Sequence, residues 1–345
     1  MARVFRPRLA ALLAVALGLA VALSLIGVGN GSEARTGLAR QAPGAGHTPV
    51  RTPPTVAAVN PIGSNSQVEL LSAATGRVVD VLGQFGQSWT NNGFAYTPDG
   101  RYIYFTLIPQ EHSWKSLLLE RLSVETHQQT QIGPGEQPAI SPDGRLLAYV
   151  AGEDRSAEVV VRVIASGEVR RVNIARLLGP KTDMLNASLA WTGDGSQLAV
   201  FESCCAVAVS APSGRQPRST YTSRLVVVSA PPEGNLTARR VSLPRAAESP
   251  DAVGTDASGA SSVLVASIEP AGDLVQRLRI GASAATLGPL VTIPQGLVMT
   301  FSPTGRRVMY VAGHPVDLWT ATIEGHKLIG ARVLIKRNTV GPLAW

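Results

Sequence analysis

Cysteine is nearly absent from this 345-residue chain: the two that exist, Cys204 and Cys205, are adjacent. That excludes a multi-bridge disulfide framework and a C-x-x-C metal site. Histidine is scarce at five, and His112, His127, His314 and His326 show no H-E-x-x-H spacing. No G-x-S-x-G elbow and no phosphate loop is present. Acidic residues are missing from the start of the chain. Of 31 basic and 24 acidic residues, 1–54 hold six arginines and Glu33 alone, which leaves 25 and 23 for the remainder. The net charge of +7 therefore sits mostly at the N-terminus, and the remainder lacks the basic face that nucleic acid requires. A hydrophobic content of 45% supports a sizeable core.

One long apolar run is present. Arg3, Arg6 and Arg8 precede an uncharged stretch from Leu9 to Val28. Twenty residues suffice to span a hydrocarbon core, and the arginines keep that end in the cytoplasm. The run exceeds a signal-peptide core and has no clean small-x-small site after it. Residues 1–29 therefore read as an uncleaved signal anchor in preference to a removed signal peptide; cleavage would make the protein secreted. Residues 30–54, rich in Gly, Ala, Pro and Thr and containing His47, read as a linker. The bias toward Ala, Gly, Arg and Pro fits a high-GC bacterium.

From Thr55 onward the chain repeats itself. Phe94-Ala95-Tyr96-Thr97-Pro98-Asp99-Gly100 returns as Pro138-Ala139-Ile140-Ser141-Pro142-Asp143-Gly144. It returns again around Thr192-Gly193-Asp194-Gly195 and Ser302-Pro303-Thr304-Gly305, and in worn form as Asp256-Ala257-Ser258-Gly259. Each copy is an apolar triplet, a turn and a second apolar run, the pattern of a β-hairpin. Pro fixes φ at the second turn position and the closing Gly is expected at positive φ. The turn aspartates Asp99, Asp143 and Asp194 therefore read as turn formers, not metal ligands. A small residue recurs at the centre of each triplet, as crowding near a shared axis requires.

The closing glycines are 44 to 64 residues apart, the length of one four-stranded propeller blade plus loops. The motif resembles the TolB-type or WD40-like β-propeller repeat. The resemblance implies an all-β fold over 55–345, and six blades account for nearly every apolar run. The three runs Thr55–Val59, Gln67–Ser72 and Arg77–Leu82 lack an innermost strand, and the chain ends in a lone triplet, Leu343-Ala344-Trp345. The expectation is that this C-terminal strand pairs with the N-terminal blade and closes the ring, leaving no open edge.

With strands labelled A to D outward from the axis, the B–C and D–A loops share one face and are the longer set: 83–93, 108–115, 175–187 and 203–223. Long loops on a rigid scaffold are where binding usually resides. The candidate binding residues there are Trp89, His112, Trp114, Lys181, Asp183, Arg215, Arg218 and Tyr221, since aromatic and arginine side chains anchor interfaces. Cys204 and Cys205 fall in the same loop. Outside the cytoplasm they either close a strained vicinal disulfide or stay as two free or buried thiols. Asn186-Ala187-Ser188 and Asn235-Leu236-Thr237 fit the glycosylation pattern, which matters only in a eukaryotic secretory host.

With no catalytic motif and no cofactor expected, the reading is a non-catalytic, membrane-anchored, extracytoplasmic platform that binds another envelope or membrane protein, not nucleic acid. TolB-like propellers are similar in acting as periplasmic interaction platforms, although this chain departs from TolB in lacking a separate N-terminal α/β domain. Two alternatives stand beside it: a lactonase-like propeller hydrolase with a metal at the channel mouth, and a small-molecule sensor.

Overall fold

The computed structural model describes residues 54–62, 65–86, 89–107, 117–152, 156–178, 187–209, 218–244, 252–256, 259–267, 273–293, 296–312, 317–336 and 343–345. The expected anchor and most of the linker lie outside them. Among the described residues no helix is long and apolar enough to cross a membrane. The chain divides into units Met1–Gly46 and His47–Trp345, and every strand belongs to the second.

The strands form six four-stranded antiparallel sheets. Blade one takes β1 (Thr55–Ile62), β2 (Asn65–Ser72) and β3 (Val78–Gly86). Blade two is β4 (Trp89–Tyr96), β5 (Tyr102–Leu107), β6 (Leu118–Ser123) and β7 (Gln129–Pro134). Blade three is β8 (Glu136–Ile140), β9 (Leu146–Ala151), β10 (Glu158–Val163) and β11 (Val169–Asn173), followed by a single helical turn, α1 (Ala175–Leu178). Blade four is β12 (Ala187–Trp191), β13 (Gln197–Val209), β14 (Arg218–Ser229) and β15 (Thr237–Val241). Blade five is β16 (Ala252–Thr255), β17 (Ser262–Ser267), β18 (Asp273–Ile280) and β19 (Ala285–Ile293). Blade six is β20 (Gly296–Phe301), β21 (Arg307–Ala312), β22 (Asp317–Glu324) and β23 (Lys327–Lys336). The last strand, β24 (Leu343–Ala344), lies beside β1, with Ala57 opposite Ala344 and Ala58 opposite Leu343.

Apolar side chains alternate between the two faces of each blade, so the core is six clusters, one per junction. The short β24 serves two of them. Leu343 and Trp345 pack with Met309 and Val311 of blade six, and Ala344 packs with Tyr96 and Phe105 of blade two.

The A–B turns show why the repeat reads as it does. In blade two the buried Thr97 hydroxyl donates to Asp99 Oδ1 at 2.6 Å and accepts from the Tyr102 N–H at 3.0 Å. Ser141 and Thr192 make the same bonds to Asp143 and Asp194, and Ser302 meets Thr304 at 3.1 Å. A hydroxyl this buried needs its partners inside the turn. Gly100, Gly144, Gly195 and Gly305 close these turns at φ between 64° and 75°, which a side chain would strain.

Blade five breaks the expectation for its glycine. Six residues separate β16 from β17 where five separate the other A and B strands. Gly259 is not at positive φ. Asp256 occupies the hydroxyl position, accepts from Ser262 Oγ at 2.6 Å and forms an ion pair with Arg277 on β18.

Two stretches expected as loops are strands. The stretch 83–93 is mostly strand, because a register shift between Trp89 and Phe94 absorbs Asn91, Asn92 and Gly93 into β4. The stretch 203–223 is a hairpin with its end, 210–217, outside the described residues. Val207 opposite Thr220 and Val209 opposite Arg218 extend β13 and β14 past the blade, as β-branched residues favour. A bulge between Cys204 and Ala206 lies in this ribbon.

The outer strands are tied to one another by a feature with no local sequence pattern. Asp80, Arg170, Arg239 and Arg332 stand at one structural position, opposite Leu70, Val161, Val227 and Thr320 of their own C strands. Each reaches the C–D turn of the next blade. Asp80 meets His127 at 3.1 Å, and Arg170 donates to the Pro231 carbonyl at 2.6 Å. Arg239 donates to the Ala282 carbonyl and Arg332 to the Ala74 carbonyl, both at 2.6 Å. Blades two and five carry Thr130 and Gly288 there.

Candidate functional site

Residues of β4, β8, β12, β16, β20 and β24 line a cavity of about 120 Å³. All six central triplet residues line it: Ala95, Ala139, Ala190, Gly254, Thr300 and Ala344. The small residues in the repeat thus have a direct consequence, since larger ones would fill the axis. At Gly254 a Cβ would stand 2.5 Å from the Phe301 ring, so only glycine fits. The turn residues Pro98, Ser141, Pro142, Ser302 and Pro303 also line the cavity, which places it toward the A–B turn end of the axis.

The lining is apolar, hydroxyl or backbone, with no carboxylate, imidazole, amine or thiol among its side chains. The Tyr96 phenol donates to the Gly100 carbonyl at 3.2 Å and shares a 2.9 Å bond with Thr55 Oγ1. Burial raises its pKa, the Thr55 bond lowers it by less, and nearby Asp99 adds slightly to the rise, so the phenol is neutral at physiological pH. Trp191 Nε1 donates to the Ala139 carbonyl at 3.1 Å, tying the wall of blade four to blade three. At the rim the Arg307 guanidinium lies 4.6 Å from the centre of the Trp345 ring and donates to the Ala73 carbonyl at 3.0 Å. Burial, and then Arg332, lower the Arg307 pKa.

An apolar cavity of about 150 Å³ admits one benzene, and drug-sized ligands need about 300 Å³ or more. The axial pocket therefore matches one side-chain-sized group. It offers hydrogen bonding from hydroxyls, the Tyr96 phenol and backbone, together with apolar contact. Among the described residues no cluster of three or more His, Cys, Asp or Glu is placed to hold a metal ion.

None of the residues singled out from the sequence lines this cavity among the described residues. His112, Trp114, Lys181, Asp183 and Arg215 are outside the described residues. Trp89 lies on β4, and Arg218 and Tyr221 lie on β14, not in loops; only their backbone is described, as for Cys204 and Cys205. The backbone brings Arg218 and Tyr221 onto the ribbon that leaves blade four, opposite Val209 and Ala206. Sequence reasoning placed its two alternatives at the channel but named no axial residue as a binding residue, although the recurring small residue was the signal.

No family model matches the chain, and no curated protein matches it. Solved structures do. TolB from Acinetobacter baumannii superposes over 84% of this chain with a TM-score of 0.54 at 15% identity. The fold is that of a TolB-like β-propeller. This chain spans 66% of the length of that TolB and 88% of a TolB-assigned structure from Agrobacterium tumefaciens, which matches at TM-score 0.51 and 15% identity over 79% of this chain. A chain of the nidogen/laminin complex matches at TM-score 0.52 and 12% identity, over 84% of this chain and 97% of that one. At such identities the TolB-like likeness is one of fold alone.

Proposed function

We propose that this TolB-like propeller is a non-catalytic, membrane-anchored platform outside the cytoplasm that binds another protein or envelope component. One observation carries the reading: the pocket at the axis is neutral and side-chain-sized. Such a pocket suits an apolar or hydroxyl-bearing side chain presented by a partner, an arrangement typical of interface anchors. The outward orientation is supported by Arg3, Arg6 and Arg8 ahead of the apolar run 9–28. We take the β24–β1 pair to be the closure of the ring, with the C-terminal triplet as the innermost strand of blade one. The long B–C and D–A loops, with His112 and Trp114, form the second contact face.

The test is co-purification of the tagged, detergent-solubilised full-length protein, with mass spectrometry of companions and bound metal. A stoichiometric companion lost on Ala95→Trp, which fills the pocket, supports the axial site. Loss on His112→Ala with Trp114→Ala, and not on Ala95→Trp, moves the contact to the loop face. A stoichiometric metal with no companion contradicts the platform and favours the hydrolase.

A further inference from the structure

The outer edge where blades six and one meet carries an apolar patch. Val78, Val79, Val81 and Ile329 are 44%, 60%, 41% and 45% exposed. Register places three of them on facing walls. Val78 is opposite Leu71, which packs into the junction with blade six, and Val81 is opposite Glu69 on the same side of β2. Ile329 is opposite Thr322, on the side of blade six from which Arg332 reaches Ala74 of blade one. A bulge leaves Val79 unpaired between Val78 and Asp80. Two exposed cations, Arg77 and Lys327, flank the valines and Ile329, with Glu324 as counter-charge. Asp80 is held by His127.

The chain enters the propeller at this edge. The Pro54 carbonyl accepts from the Ala73 N–H at 2.8 Å, in the turn that Arg332 grips. Pro54 is thus the point at which the described chain begins, and residues 9–53 precede it in sequence.

We propose that this patch rests on an anionic lipid surface. The proposal relies on the reading of residues 9–28 as a membrane anchor. Four exposed apolar side chains are no more than an ordinary surface patch and would not hold a free protein on a membrane. A tether changes the arithmetic. A linker of 25 residues spans about 25–30 Å root-mean-square. That holds the entry edge at an effective concentration on the order of millimolar relative to the bilayer. Weak apolar contact is then sufficient, and two cations at an anionic surface strengthen it by roughly tenfold or more. Docking there lays the rim of blades six and one against the membrane and leaves the axial pocket open to the side.

The test uses the full-length chain, one copy per nanodisc, in phosphatidylglycerol and in phosphatidylcholine. Hydrogen exchange is followed in 77–82 and 327–332. The expected result is protection of both segments on phosphatidylglycerol, roughly tenfold weaker on phosphatidylcholine, and lost in the Val79→Asp, Ile329→Asp double variant while the chain stays inserted. An inserted chain with equal exchange in both lipids overturns the docking and leaves the anchor reading standing. A chain that does not insert overturns the anchor reading and the docking together.

Discussion

The turns that open blades two and five do the same job by opposite means. In blade two the Thr97 hydroxyl, the Asp99 carboxylate and the positive φ of Gly100 complete the turn within four residues. In blade five the carboxylate has moved to the first position, and Asp256 draws its partners from Ser262 and from Arg277, 21 residues away on β18. The first arrangement is local and stays exposed at Asp99. The second buries the carboxylate to 3% and makes the turn depend on the packing of its blade. A repeat can thus lose its motif without losing its geometry, provided a neighbouring strand supplies the missing bonds.

This contrast predicts different costs. Asp256→Ala removes the buried carboxylate that accepts from Arg277 and Ser262 and is expected to cost about 2–3 kcal/mol. Asp99→Ala, Asp143→Ala and Asp194→Ala each remove two or three local, partly exposed bonds and are expected to cost about 0.5–1.5 kcal/mol. Urea unfolding of the four variants checks this; equal costs would erase the distinction. Gly100→Ala is expected to cost about 1 kcal/mol from backbone strain alone. Gly259→Ala acts differently, because its Cβ would stand 2.2 Å from Ser262 Oγ and push it off Asp256. Its cost should therefore largely vanish in the Asp256→Ala background, whereas that of Gly100→Ala should not.

The smallest effect is one of pH. Tyr96 ends the A strand of blade two where Thr255 ends that of blade five. Burial raises the Tyr96 pKa, so the folded state holds the phenolic proton more tightly than the unfolded chain. The resulting stability is present below the ordinary tyrosine pKa of about 10 and is lost as pH rises through the higher folded value. The stability gap between the wild type and Tyr96→Phe should narrow above that pH in alkaline melts. A gap unchanged by pH would contradict the assignment.

The sequence carries the parts of this molecule that are local. The Ser/Thr-x-Asp-Gly turns, the small residue at the centre of each triplet and the apolar B strands that follow the turns are legible because their partners lie within a few residues. The blade-to-blade ties are not. Asp80 meets a residue 47 positions on, Arg170 one 61 on, and Arg332 one 258 back. The arginines stand three, five and seven residues after Gly167, Gly234 and Gly325, so no repeat spacing reveals them. The ribbon of blade four was hidden for a different reason: Cys204-Cys205 and the Ser/Thr-rich return strand do not alternate as a half-buried strand does. The neutral axial pocket was half visible. The small residues pointed to the axis, but nothing in the turns alone shows that no acid or base faces it.

One strand triplet, used six times and followed by an A–B turn in the first five copies, lines the axial pocket, and we take Leu343-Ala344-Trp345 to be the sixth copy that closes the ring. Removing Thr339–Trp345 tests it most directly. Without that strand Arg307 loses the Trp345 ring, β1 loses its inner neighbour and the pocket loses one wall. Thermal unfolding of the shortened chain should lose its cooperative transition and end in aggregation. A shortened chain that melts like the intact one would contradict the closure.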